Sequence, residues 1–190
     1  ARSSAERALS AMIWFVGTDA KPELGLHNIF FADDYPGEFA RLAQGQSGLD
    51  PTIYINCSAV MSPEHAPDGK HNWFVMINSP ADAGQDWDAM LAEARPRVMQ
   101  KLERLLGPFA IHTESTYCPV DIARTSGAWR GSIYGPASNG MRSLFAKQSA
   151  RDPELANLYY CGGSSHPGGG IPMCLASARI ATDYAISASS

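Results

Sequence analysis

The residues with the clearest chemical potential lie between Leu158 and Arg179, in the run LYYCGGSSHPGGGIPMCLASAR. Gly162 and Gly163 close an aromatic, strand-like stretch. Gly168, Gly169 and Gly170 open a small-residue, helix-like stretch whose first turn holds Pro172. A helix start leaves backbone N–H groups without intrahelical partners and carries the positive end of the helix dipole, so it suits a phosphate or an electron-rich heterocycle. Glycines let such a ligand approach the backbone with no Cβ in the way. A surface turn that needs positive φ angles has the same composition, and spacing alone does not separate the two readings.

Other chemistries fit the sequence less well. No GK[ST] closes the glycine run, so it is not a P-loop, and Gly163-Ser164-Ser165-His166 does not match the GxSxG nucleophile elbow. Ser165 and His166 are sequence neighbours, whose side chains point apart. Cys161, His166 and Cys174 are of zinc-ligand type, but their spacing matches no finger or ribbon and a fourth ligand is missing, so no metal is assigned. Asp33 and Asp34 read as a solvated acidic turn before Pro36. His27, His65, His71 and His112 share no spacing and receive no role. No residue is assigned as catalytic.

The elements that must position the glycine run follow from periodicity. Ala11–Val16 (AMIWFV) is continuously apolar and ends at Gly17, which predicts a fully buried strand. Short strands are expected at His27–Phe31, Pro51–Cys57, Asn72–Asn78 and Phe109–Thr116, the second and third of these forming an antiparallel pair across a turn-rich loop. Pro36–Gly45 reads as a short helix. Asp86–Gly107 is the strongest helix, with Trp87, Leu91, Ala94, Val98, Leu102 and Leu105 on one stripe, Pro96 as a kink or restart, and Gly107 as the stop. Pro119–Thr125 suggests one or two helical turns and Ala128–Gly135 a last strand. Residues 136–154 look like loop. Asn157–Gly163 reads as a strand and Ile171–Ile186 as a helix with Cys174, Ala178, Ala181 and Ala185 on a small-residue stripe. The expected fold class is α+β: a mixed, largely antiparallel sheet flanked by helices, plus a C-terminal strand–Gly loop–helix.

Composition narrows the function classes. With 190 residues, 45% hydrophobic and 18% charged, the chain has the make-up of an ordinary globular protein. The net charge of −4 and the scattered Lys and Arg argue against nucleic acid as a partner. No apolar run reaches the roughly 18–20 residues of a membrane span. Ala1–Ser10 shows no signal peptide, so the four cysteines are expected as buried free thiols and the location as cytoplasmic.

The run LYYCGGSSHPGGGIPMCLASARIAT resembles the C-terminal FAD motif of the phytoene desaturase (phytoene dehydrogenase) family, carotenoid desaturases within the flavin-containing amine oxidoreductase superfamily. The motif is a hydrophobic strand, Gly-Gly/Ala, Ser/Thr-His-Pro-Gly-Gly-Gly and a small-residue helix. Gly162, Gly163, Ser165, His166, Pro167, Gly168, Gly169, Gly170, Ile171 and Pro172 fall in place. HNIFFADDYPGEF, DPTIYINCSAVMSPEHAPDGKHNWFVMIN and AWRGSIYG also resemble the family's second half, in order, so the likeness covers nearly the whole chain.

The resemblance implies an FAD-dependent oxidoreductase that introduces double bonds into a long polyene by hydride transfer to flavin, this chain being its C-terminal part. It implies a substrate-binding region over 1–156 and an FAD-motif segment over 157–190, with the Rossmann half outside the chain, since no GxGxxG occurs here. FAD would be held by Gly162, Gly163 and Ser164 near its phosphates or ribityl chain and by Gly169, Gly170, Ile171, Pro172 and Met173 near the isoalloxazine. Met173 departs from the family, where Gly is common. Implied partners are a hydrophobic carotenoid, the N-terminal FAD-binding domain and, peripherally, a membrane. A carotenoid- or lipid-binding domain without activity, and a carotene isomerase or oxygenase relative, remain as alternatives. The 190 residues alone are expected to be inactive.

Overall fold

The computed structural model describes residues 8–19, 23–46, 49–133 and 147–188. The chain divides into two compact units, residues 9–133 and a second made of residues 1–8 and 134–190.

The first unit is built on an antiparallel five-stranded sheet. Its strands are β1 (Ser10–Thr18), β2 (His27–Phe30), β3 (Ile53–Asn56), β4 (His71–Ser79) and β5 (Ile111–Tyr117), in the order β2-β3-β4-β1-β5. Helices α1 (Tyr35–Ala43), α2 (Trp87–Leu106) and α3 (Pro119–Ser126) lie between or after them. With the helix of the second unit described below, this gives the expected α+β class.

Alternation along each strand decides which face is buried. Met12, Trp14 and Val16 of β1, Ile53 and Ile55 of β3, and Trp73, Val75 and Ile77 of β4 form one apolar face. They pack with Trp87, Ala94, Val98, Met99 and Leu102 of α2. Asp86 caps α2, its carboxylate accepting from the Ala89 N–H at 3.0 Å, and Gly107 ends the helix at φ 83°. Arg95 of α2 grips Glu114 of β5 through two bonds of 2.7 Å, fixing the helix across the sheet.

β1 is buried over Ala11–Val16 as expected, on both faces, except at Phe15, which is 45% exposed. Two other expectations for this unit are corrected. Pro96 neither breaks nor restarts α2, which runs unbroken for 20 residues. The carbonyl freed by its missing N–H belongs to Ala92, which is exposed, so water can reach it. The stretch expected as a strand from Ala128 is a 3₁₀ turn at Trp129–Gly131, because Arg130 (φ 52°) and Gly131 (φ 70°) reverse the chain. The turn is tied down by the Asp82 N–H to the Arg130 carbonyl at 2.8 Å and the Ser10 hydroxyl to the Gly131 carbonyl at 2.6 Å. Tyr134 and Gly135, the end of that stretch, and residues 136–146 of the expected loop lie outside the described residues.

In the second unit, α4 (Ile171–Ala188) is the described helix. The stretch from Asn157 expected as a strand forms a single isolated bridge among the described residues, Tyr159 with Arg151. Its backbone partner there is short: Tyr160 donates to the Ala150 carbonyl at 2.9 Å, and Asp152 donates to that of Leu158 at 3.0 Å. A ladder needs a longer partner than that.

All four cysteines are free, but only Cys57 and Cys118 are buried; Cys161 is exposed and Cys174 intermediate. Burial pushes the Cys57 and Cys118 thiols up, which keeps them unreactive. Among the described residues, no helix is long and apolar enough to cross a membrane.

Candidate functional site

Two regions, one in each unit, hold the residues that could do chemistry. The glycine crossing comes first. Gly162, Gly168 and Gly170 have φ of 115°, 140° and 97°, a region closed to most side chains. A Cβ at Gly162 or Gly170 would meet nothing within 4 Å, so open space lies beside the backbone at both ends of the crossing. Gly163 and Gly169 do the opposite job. A Cβ on Gly163 would sit 3.5 Å from the Gly169 Cα and 3.7 Å from the Cys174 Sγ, so the two glycine pairs fold against each other.

Ser164 occupies the turn between them. Ser165 donates its N–H to the Gly162 carbonyl at 3.1 Å, and His166 donates to the Gln148 carbonyl at 2.8 Å. Ile171, Pro172 and Met173 form the exposed first turn of α4, Ile171 at 79% exposure. The Cys174 N–H closes that turn on the Gly170 carbonyl at 2.8 Å. Pro172 has no N–H, so Ile171 and Met173 supply the outward donors of the helix start.

Sequence reading missed Ser177. It is fully buried on α4, and its hydroxyl accepts the Gly162 N–H at 3.1 Å, fixing the first glycine of the crossing to the helix. It belongs to the small-residue stripe with Ala181, and the spacing of that stripe was the available signal. Tyr160, two residues before Gly162, donates its hydroxyl to Asp152 at 2.6 Å. That bond holds the Asp152 carboxyl below its ordinary range and pushes the Tyr160 phenol above its own.

The second region is the sheet face turned away from α2. Phe15, Tyr54, Phe74 and Met76 lie on it, in register: Phe15 pairs with Phe74, Tyr54 with Met76 and Asn56 with Phe74. The Phe15 and Phe74 rings meet edge-to-face at 5.5 Å, and Tyr54 meets Phe74 at 6.1 Å. A cavity of about 800 Å³ opens over this face, its walls mainly apolar, with Phe15, Phe74, Asn56, Asn72, His65 and Ser115 among the lining residues. That size suits a small-molecule ligand. The sequence signal was available in NWFVMIN: apolar residues at both even and odd positions of one strand give it two apolar faces.

The four histidines that share no spacing are partly gathered by the fold. His65, His71 and His112 line this cavity. His27 bonds the Tyr54 hydroxyl at 2.8 Å, and His112 meets Lys70 at 2.9 Å. Among the described residues, no three His, Cys, Asp or Glu side chains gather as a metal site requires.

Comparison with known proteins adds a class to this geometry. No protein-family model matches the chain. It is 41% identical over 183 residues to a 1-hydroxycarotenoid 3,4-desaturase of Flavobacterium sp. strain P99-3, covering 94% of this chain and 38% of that enzyme. It is 29% identical over 188 residues to the 4,4'-diapophytoene desaturase (4,4'-diaponeurosporene-forming) of Staphylococcus aureus strain Newman, covering 93% and 38%. An oxidoreductase from Methanosarcina mazei superposes with a TM-score of 0.49 at 12% identity, over 93% of this chain and 35% of that one, too loosely to bear on function. Both of these sequence relatives are named as desaturases. The chain is similar to carotenoid desaturases over nearly its whole length and spans 38% of the length of these curated relatives.

Proposed function

We propose that the chain is the substrate-holding and flavin-closing part of an FAD-dependent carotenoid desaturase. In this reading residues 1–156 supply the substrate-binding region and 157–190 return to the FAD domain. The observation that carries it is the 41% identity to a 1-hydroxycarotenoid 3,4-desaturase across the span that holds both the open sheet face and the glycine crossing. That relative also favours a hydroxylated acyclic polyene as substrate.

The residues at the crossing fit a flavin. The open space beside Gly162 and Gly170 is space that a Cβ would fill, and the outward N–H groups of Ile171 and Met173 can face an electron-rich ring. Gly162, Gly163, Ser164, Gly169, Gly170, Ile171, Pro172 and Met173 would hold it. When bound, FAD supplies a two-electron acceptor for a hydride from a saturated carbon, while a proton leaves the adjacent carbon and the new double bond forms between them. Phe15, Tyr54, Phe74 and Met76 give the polyene an apolar surface and exclude water from it, and their edge-to-face packing keeps that surface rigid.

The test uses the full-length protein with FAD and an acyclic hydroxylated carotenoid. The expected product absorbs at longer wavelength, because conjugation has lengthened. Binding without any change of spectrum would make the protein a carotenoid-binding module and contradict the reading. The 190 residues by themselves are expected to bind FAD weakly, since the Rossmann half supplies most cofactor contacts. A submicromolar dissociation constant by flavin fluorescence would contradict that division of the site.

A further inference from the structure

We propose that the polar end of the cavity over the open sheet face reads the terminal hydroxyl of the polyene, with Asn56 and His65 as the specificity-determining residues. This rests on the carotenoid reading above and assigns its selectivity to named side chains.

The cavity has two characters. Its floor is apolar, at Phe15 and Phe74. Toward the ends of β3 and β4 it becomes polar, where a loop containing Ser58 and His65 stands against the sheet. Asn72 anchors that loop with its whole amide: Oδ1 accepts the Ala59 N–H at 3.0 Å, and Nδ2 donates to the Ser58 hydroxyl at 2.8 Å. Ser58 Oγ in turn meets His65 Nδ1 at 3.0 Å, which fixes the imidazole. Asn56 is held in the same way, its Nδ2 donating to the Leu26 carbonyl at 3.1 Å.

Several lining side chains have polar atoms left over, among them Asn56 and His65 at the ends of β3 and of the loop that follows it. Asn56 Oδ1 and His65 Nε2 make no hydrogen bond among the described residues. The first accepts; the second, on a neutral imidazole, donates in one tautomer and accepts in the other. A hydroxyl both donates and accepts, so it can answer either atom, where a hydrocarbon end answers neither. Sites that hydrogen-bond a substrate hydroxyl discriminate against the analogue lacking it, because their polar groups are then left unpaired. Here His65 is solvent-exposed, and water can satisfy it in the free protein. The preference is therefore expected at about tenfold, the scale of one net hydrogen bond, rather than the thousands of a closed site.

The experiment measures dissociation constants on the full-length protein for a 1-hydroxylated acyclic carotenoid and for its deoxy parent of equal chain length. Quenching of the protein's tryptophan fluorescence by energy transfer to the bound polyene is the readout. The wild type is expected to prefer the hydroxylated polyene about tenfold. His65→Leu is expected to remove most of that preference, and His65→Gln, which keeps a donor and an acceptor, to restore part of it. Equal affinities in the wild type, or a preference that survives His65→Leu, would overturn the proposal. A preference that behaves as expected in a protein that never desaturates either polyene would support the hydroxyl site and sink the desaturase reading alone.

Discussion

Replacing Lys101 by methionine is expected to destabilise the 9–133 unit by about 3 kcal/mol. Lys101 is 7% exposed on α2. Its ammonium donates to Asp50 Oδ1 at 2.7 Å and to the carbonyls of Phe31 and Pro51 at 2.8 and 3.1 Å. Asp50 is itself 35% exposed, so its loss of a partner is partly repaired by water. The larger cost is two carbonyls left without a donor at the joint between α2 and the segments that lead into α1 and β3. Methionine keeps the apolar stem, which separates the hydrogen-bonding effect from lost packing. Urea unfolding of wild type and variant measures the difference.

The same pair sets a pH dependence. Burial pushes the Asp50 carboxyl up, but the Asp33 N–H and the Lys101 ammonium outweigh it and hold the group below its ordinary value. A carboxyl lowered in the folded state contributes its full stability at neutral pH. That contribution is lost as the pH falls below about 4 and through the folded value. Lys101→Met is expected to flatten the acid limb of the stability profile. An unchanged acid limb would show that Asp50 owes its low value to the Asp33 N–H and Arg104 rather than to Lys101.

Valine at Gly170 is expected to lower the FAD affinity of the full-length protein about a hundredfold. Gly170 sits at φ 97° beside open space, immediately before α4. No neighbour clashes with the new side chain. The cost is a β-branched residue forced into a glycine conformation, about 1–3 kcal/mol, together with a side chain placed where the cofactor would lie. Gly45 supplies the control. It also has positive φ, 77°, and nothing within 4 Å of a Cβ, but it follows α1 in the other unit. Gly45→Val should leave FAD content unchanged, read by flavin absorbance per protein after gel filtration. Equal losses in both variants would make the effect a general one of folding.

Much of the scaffold was legible in the sequence because its signals are local. Asp86, the α2 stripe and Gly107 mark a helix at both ends, and the β-branched and aromatic runs mark strands whose partners lie within the chain. The failures share a cause. A strand is defined by its neighbours, and Asn157–Gly163 finds only the short stretch at Ala150–Asp152 to pair with. The run from Ala128 carries strand-like residues, but the positive φ at Arg130 follows from tertiary bonds to Asp82 and Ser10 that no local pattern announces.

The site was legible in unequal parts. The glycine crossing was visible because φ-driven glycines cluster in sequence, whereas Ser177, which holds Gly162 in place, was hidden within a run of small residues. The buried reading of AMIWFV holds except at Phe15, whose exposure no local pattern announces. His65 and Asn56 come together on one cavity through register and loop anchoring alone.

The most direct measurement is an anaerobic titration of the full-length protein, reconstituted with FAD, with the hydroxylated polyene. The oxidised-flavin absorbance is expected to fall as the polyene spectrum shifts to longer wavelength, one flavin reduced for each double bond formed. A flavin that stays oxidised in the presence of bound polyene would contradict the account.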